Sequence, residues 1–264
     1  MGDMQGSETA VFERILCGVD GTASSLTAVQ AASRLQVREG TLRFVAAANI
    51  AKASQAGMAA THAAGQLQEE AEAALKEARA LVPSAAGKLV IGNPATVLLR
   101  EAESDETTLV VVGSHGHRRA TAMVLGTVAL ALLRDAPCSV LIAREVTDPE
   151  TWPRAVVVGV DGSPGSAVAL AVAREFAGRF GSGVRAIAST ADHFDPELAA
   201  AFAPELEEDS AGAVTALVAA SGTADLVLVG SRGLHGLKAL GSVSERVAHQ
   251  ARSSVLVIRP APPV

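Results

Sequence analysis

The chain has 264 residues, a formal net charge of −6, 49% hydrophobic residues and only 3% aromatic ones, enough for one large core or two small ones built from small aliphatics. Its acidic balance, without a Lys/Arg block and with few rings for stacking, excludes the usual footprint of a nucleic-acid partner. No apolar run reaches the roughly 20 residues of a spanning helix, and the opening MGDMQGSETAVFER is acidic and polar; together these predict a cytoplasmic protein with no membrane partner.

In chain order, the first aliphatic run ends in Val19, Asp20 and Gly21 and passes into TASSLTAVQAASRL. A hydroxyl-rich entry followed by Ala and Leu at helical spacing predicts a buried strand, a tight turn and a capped helix. LRFVAAA (42–48) is the second strand, and QLQEEAEAALKEARAL (66–81) a helix with an exposed acidic face. KLVIG (88–92) supplies a third strand, PATVLLREAES (94–104) a helix, and LVVVG (109–113) a fourth strand. TVALALLRD (127–135) and SVLIA (139–143) add a last helix and strand before TDPETWPR (147–154), a polar stretch that reads as a linker.

The order then repeats. VVGVDG (157–162) answers LCGVDG (16–21), LVLVGSRG (226–233) answers LVVVGSHG (109–116), and SSVLVIR (253–259) answers CSVLIAR (138–144). Helices are expected at GSPGSAVALAVAREFA (162–177), AGAVTALVAA (211–220) and SERVAHQA (244–251), with strands at VRAIAS (184–189), LVLVG (226–230) and SVLVI (254–258). Two domains are therefore expected, at 11–146 and 153–260. Continuous Val/Ile/Leu strands separated by helices predict an α/β fold: open parallel sheets with helices on both faces. The offset between halves falls from 141 (Asp20 to Asp161) to 117 (Gly113 to Gly230), so the second domain is expected to be truncated, lacking a third strand and leaving PELEEDS (204–210) as a solvated loop or helix entry. Cys17 and Cys138 sit in aliphatic runs without CxxC spacing and read as buried, reduced thiols.

In open α/β sheets ligands lie beyond the carboxyl ends of strands, where the strand order reverses. Both marked turns, at Asp20–Gly21 and at Gly113-Ser114-His115-Gly116, fall at such ends. Gly126 and Thr127 open the next helix, whose exposed N–H groups and dipole favour an anion such as phosphate. The run is neither a Walker A loop nor the GxGxxG dinucleotide fingerprint. His115 and His117 lack a carboxylate or cysteine partner pattern, so phosphate contact or solvent exposure is expected of them rather than metal chemistry. Arg118 and Arg119 neutralise phosphate or belong to a solvated loop.

The spacing Gly113-x2-Gly116-x9-Gly126-Thr127 and the VDGT and VDGSPGS turns resemble the motifs of the universal stress protein family. The resemblance covers nearly the whole chain as two tandem units. It implies Rossmann-like five-stranded parallel sheets, pairing of the domains through their last strands as an intrachain pseudo-dimer, and ATP as ligand, with which Mg²⁺ is expected as companion because it usually binds through substrate phosphates. It further implies roles for Val19 and Asp20 near adenine and ribose, and for Gly113, His115, Gly116, Gly126, Thr127 and Val128 around phosphates and ribose. In the second half Asp161, Gly230, Gly233, Gly241, Ser242 and Ser244 match by residue type. Seven residues separate Gly233 from Gly241, against nine in the first half, so nucleotide is expected in the first half, with the second completing the pair.

The function implied is an ATP-binding stress-response or regulatory sensor with an unidentified protein partner, at most slow ATP hydrolysis, and room for further self-assembly. The alternative is an interaction module of the same fold that binds no nucleotide. A dedicated enzyme using Ser114 or His115 ranks last, because no Ser/His/Asp order, paired carboxylates or metal set is present.

Overall fold

The computed structural model describes residues 12–50, 60–116, 125–144, 146, 148–191, 206–231 and 243–259. The first unit contains β1 (Arg14–Val19), α1 (Ala23–Leu35), β2 (Thr41–Ala48), α2 (Ala60–Leu81), β3 (Ala86–Ile91), α3 (Pro94–Ser104), β4 (Leu109–Gly113), α4 (Thr127–Asp135) and β5 (Ser139–Ala143). The second contains β6 (Ala155–Val160), α5 (Pro164–Phe180), β7 (Gly183–Ser189), β8 (Leu206–Asp209), α6 (Ala213–Ala220), β9 (Leu226–Gly230), α7 (Val243–Gln250) and β10 (Ser254–Ile258). All ten strands join one sheet in the order β3-β2-β1-β4-β5-β10-β9-β6-β7-β8.

Within each unit the strands run parallel; β5 and β10 meet antiparallel, with Leu141 opposite Leu256. Every residue of β5 and of β10 is buried, as expected for strands covered by helices on both faces. One face carries a core from both units, including Phe44, Leu141, Phe176 and Leu256. The other does likewise, with Leu132, Ile142, Leu217 and Val255. The joint repeats itself about a pseudo-twofold axis: the Arg144 N–H donates to Ser254 Oγ at 3.0 Å and the Arg259 N–H to Ser139 Oγ at 3.1 Å. The tandem architecture and the pairing through last strands are thus as expected.

The expected loss of a third strand in the second unit is corrected. β8 lies beside β7 in parallel register, Ile187 opposite Glu207, within the stretch expected as loop or helix entry. Its sequence, LEED, carries no aliphatic run because an edge strand need not be buried on both faces. Arg185 holds it with a bidentate pair to Glu207 at 2.8 and 2.7 Å. What is shorter is the connection into that strand, which runs 49–85 in the first unit and 190–205 in the second. The helix expected at 66–81 begins earlier, at Ala60.

Cys17 and Cys138 are buried and unpaired with each other, and burial raises both thiols, that of Cys138 to about 11. The buried carboxylate of Glu101 on α3 binds Arg43 at 2.9 Å and Lys88 at 2.8 Å, tying the helix to β2 and β3. Removing one partner of a buried pair strands the others, but half-exposed Lys88 can reach water. Glu101→Ala is therefore expected to lower stability by about 2 kcal/mol, read as a lower urea midpoint with unchanged m-value.

Candidate functional site

The strand order reverses between β1 and β4. From β1 the chain continues toward β2 and β3 at one edge, and from β4 toward β5 at the joint. The helices that follow leave on opposite faces, α1 against one core and α4 against the other. A crevice opens between their N-terminal ends, where such folds place ligands.

Val19 ends β1 and is buried. Asp20 then makes a turn: its Oδ1 accepts from the Thr22 N–H at 3.0 Å and the Thr22 hydroxyl at 2.6 Å. Gly21 supplies the left-handed backbone with φ +76°. Thr22 in turn caps α1, accepting from the Ser25 N–H at 3.2 Å. One carboxylate oxygen of Asp20 thus organises the helix start. The other, Oδ2, faces Gly116 so closely that a Cβ added there would stand 2.8 Å from it.

On the β4 side, Gly113 lets the strand pass against α1. A Cβ at Gly113 would lie 2.4 Å from Ser24 Oγ and 2.6 Å from the Ser24 carbonyl carbon. The next residues are pinned: the Ser114 N–H donates to Ala143 O at 3.0 Å, and the His115 N–H to Ser24 Oγ at 3.5 Å. His115 Nδ1 and Ser114 Oγ are 2.9 Å apart. The loop returns to its origin, since the Gly126 N–H donates to Ser114 O at 2.8 Å. Gly126 is the N-cap of α4 and brings no side-chain cap. Thr127, exposed, and Val128, half-buried, form the first turn. Asp20, Gly113, His115, Gly116, Gly126 and the start of α4 therefore surround one crevice. His117, Arg118 and Arg119 lie outside the described residues.

The second unit repeats the first wall. Asp161 Oδ1 accepts from the Ser163 N–H at 3.0 Å, Gly162 takes φ +82°, and Ser163 caps α5. The Ser231 N–H donates to Ile258 O at 2.8 Å, as Ser114 does to Ala143. A Cβ at Gly230 would stand 2.4 Å from the Gly165 carbonyl carbon. Gly233, Gly241 and Ser242 lie outside the described residues, and Ser244 falls in the first turn of α7. Ser24 was not singled out by sequence, and Ser114 only in the enzyme reading that ranked last; their contacts join positions far apart in the chain. Among the described residues no three His, Cys, Asp or Glu side chains converge to hold a metal. No helix among them is long and apolar enough to cross a membrane.

A model of the universal stress protein family matches residues 12–144 and 200–259. The chain belongs to the universal stress protein family. A universal stress protein of Mycobacterium tuberculosis is 33% identical over 208 aligned positions, covering 67% of this chain and 69% of the relative. One from Mycolicibacterium smegmatis is 29% identical across 96% of this chain and 99% of its own length. The same fold is found in a universal stress protein from Archaeoglobus fulgidus, at a TM-score of 0.73 and 21% identity over 93% of this chain and 96% of that one.

The geometry separates two glycines that the motif lists together. At Gly113 an added methyl meets helix backbone, whereas at Gly116 its one neighbour within 4 Å is a side-chain oxygen, Asp20 Oδ2. Gly113→Ala is expected to cost about 3 kcal/mol by overpacking, and Gly116→Ala less than about 1 kcal/mol, compared by thermal or urea unfolding.

Proposed function

We propose that this universal stress protein binds an adenine nucleotide, ATP with Mg²⁺ on its phosphates, in the β1–β4 crevice of the first unit. Occupancy would then bias its contacts with a regulatory partner in a stress response. The observation that carries this reading is the facing pair of Asp20 Oδ2 and Gly116, an anchored acceptor opposite a backbone with no side chain. A carboxylate on an anchored turn accepts from ribose hydroxyls, and the bare glycine beside it lets the backbone approach a ligand closely. Val19 lies directly before Asp20, as the family resemblance requires for the adenine side.

The phosphates belong at the other end of the crevice. Gly126 presents the start of α4 without a side-chain cap, so the first N–H groups and the positive end of the helix dipole are available to an anion. Gly113, His115, Thr127 and Val128 complete that wall. Mg²⁺ suits this donor set as a passenger on the phosphates, which is how it commonly binds; bound there, it supplies neutralising charge.

The second unit keeps its Asp161 turn, but its shorter spacing from Gly233 to Gly241 supports a single nucleotide per chain. Calorimetry with ATP and Mg²⁺ is expected to give a dissociation constant of about micromolar order and a stoichiometry close to one. The folded double variant Gly116→Val, Gly126→Val should lose at least about tenfold in affinity. Absence of binding to the unmodified protein would turn the reading to a nucleotide-free interaction module, and a stoichiometry of two would refute the asymmetry.

A further inference from the structure

Among the described residues, three arginines cross between the units to end on the carbonyl end of a helix. Arg259, following β10, donates from Nη2 to Leu133 O at 2.5 Å and from Nη1 to Ala136 O, the last turn of α4. Arg179 of α5 donates from Nη1 to Leu35 O at 2.9 Å and from Nη2 to Gln36 O at 2.5 Å, the end of α1. Arg144, following β5, reaches Ala248 O in α7 from Nη2. The last carbonyls of a helix lack intrahelical donors, and a guanidinium both satisfies them and meets the negative end of the dipole.

The two first-unit helices held in this way are the two whose front ends form the crevice. α1 begins at Thr22, beside Asp20, and α4 begins at Gly126, beside Gly116. We propose that Arg259 and Arg179, both supplied by the second unit, are positioning residues for the nucleotide site of the first; this rests on the nucleotide reading of the crevice.

α4 has nine residues, a rod of about 14 Å and too short to be stable alone. Its orientation is therefore set by what grips it. Gly126 offers no side-chain cap at the front, while Arg259 grips the back and the Arg134–Glu245 pair, at 2.9 Å, ties its flank to α7. Along α1, Thr22 fixes the front and Arg179 the back. Arg179 is itself seated over the Phe180 ring at 4.7 Å, a ring it shares with Arg34 at 4.8 Å, and Arg34 Nε donates to Trp152 O at 3.0 Å. A shift of either helix along its axis would change the distance between Asp20 and the start of α4, hence the fit of a ligand spanning both. The second unit thereby acts on nucleotide affinity without touching nucleotide, and linkage makes the effect reciprocal.

The pseudo-symmetry provides the control. Arg144 makes the same kind of bond as Arg259, but to a helix of the second unit. ATP–Mg²⁺ titrations of the full chain should compare the unmodified protein with Arg259→Met, Arg179→Met and Arg144→Met, at a temperature where circular dichroism shows each folded. Arg259→Met and Arg179→Met are each expected to raise Kd about fivefold or more, Arg144→Met less than about twofold, with Arg259→Lys recovering part of the loss. Unchanged affinity in the first two would overturn the proposal while leaving the site intact. Equal losses in all three, tracking their losses of stability, would overturn it too. Failure of the unmodified protein to bind ATP would instead refute the nucleotide reading beneath it. If Arg259→Met does not fold, Arg179→Met against Arg144→Met decides.

Discussion

The antiparallel pairing of β5 with β10 is the constraint on which the rest of the molecule depends. Each strand is buried at every position and aliphatic after its first serine, so either unit alone would end in a long apolar edge, the kind of edge that invites aggregation. Pairing removes both edges at once and makes two α/β units into one ten-stranded sheet. It also fixes the relation of α4 to α7 and of α1 to α5, because those helices lie over the strands at and near the joint. The guanidiniums of buried Arg144 and half-buried Arg259, whose pKa burial lowers, are tolerated there because each binds carbonyl oxygen of a facing helix.

Much of this fold is written in local patterns. SVLIA and SVLVI read as buried strands, PATVLLREAES and TVALALLRD mark helices whose bounds the structure reproduces, and the recurrence of VDG and VGS blocks declares the duplication. β8 was illegible because its stability comes from backbone pairing with β7 and the Arg185–Glu207 bond rather than from an apolar pattern. The earlier start of α2 was hidden for a related reason: ATHAAG has neither a cap signal nor an amphipathic stripe.

The crevice was legible in its residue types and not in its contacts. Asp20-Gly21 announces a turn at a strand end, yet only the fold brings Asp20 Oδ2 to Gly116 and Ser24 to Gly113 across a wide separation in sequence. Those contacts divide the glycine motif by task. Gly113 is needed so that β4 can pass α1, a requirement repeated at Gly230 against α5, whereas Gly116 lets its backbone lie close to a carboxylate. A motif that serves packing and binding together can persist in a unit that has lost one of the two, which is consistent with a second unit that keeps its turns and varies its spacing.

Photolabelling decides whether an adenine nucleotide occupies the β1–β4 crevice. The full chain would be irradiated with 8-azido-ATP, with and without competing ATP, and the modified peptides located by mass spectrometry. Saturable, ATP-protected labelling is expected in the β1–α1 turn around Val19 and Asp20 or in the wall from Gly113 to Val128. Protected labelling elsewhere would contradict it, for instance in the groove of about 460 Å³ between α2 and β3 lined by Glu72, Lys76 and Arg79, as would labelling that excess ATP does not reduce.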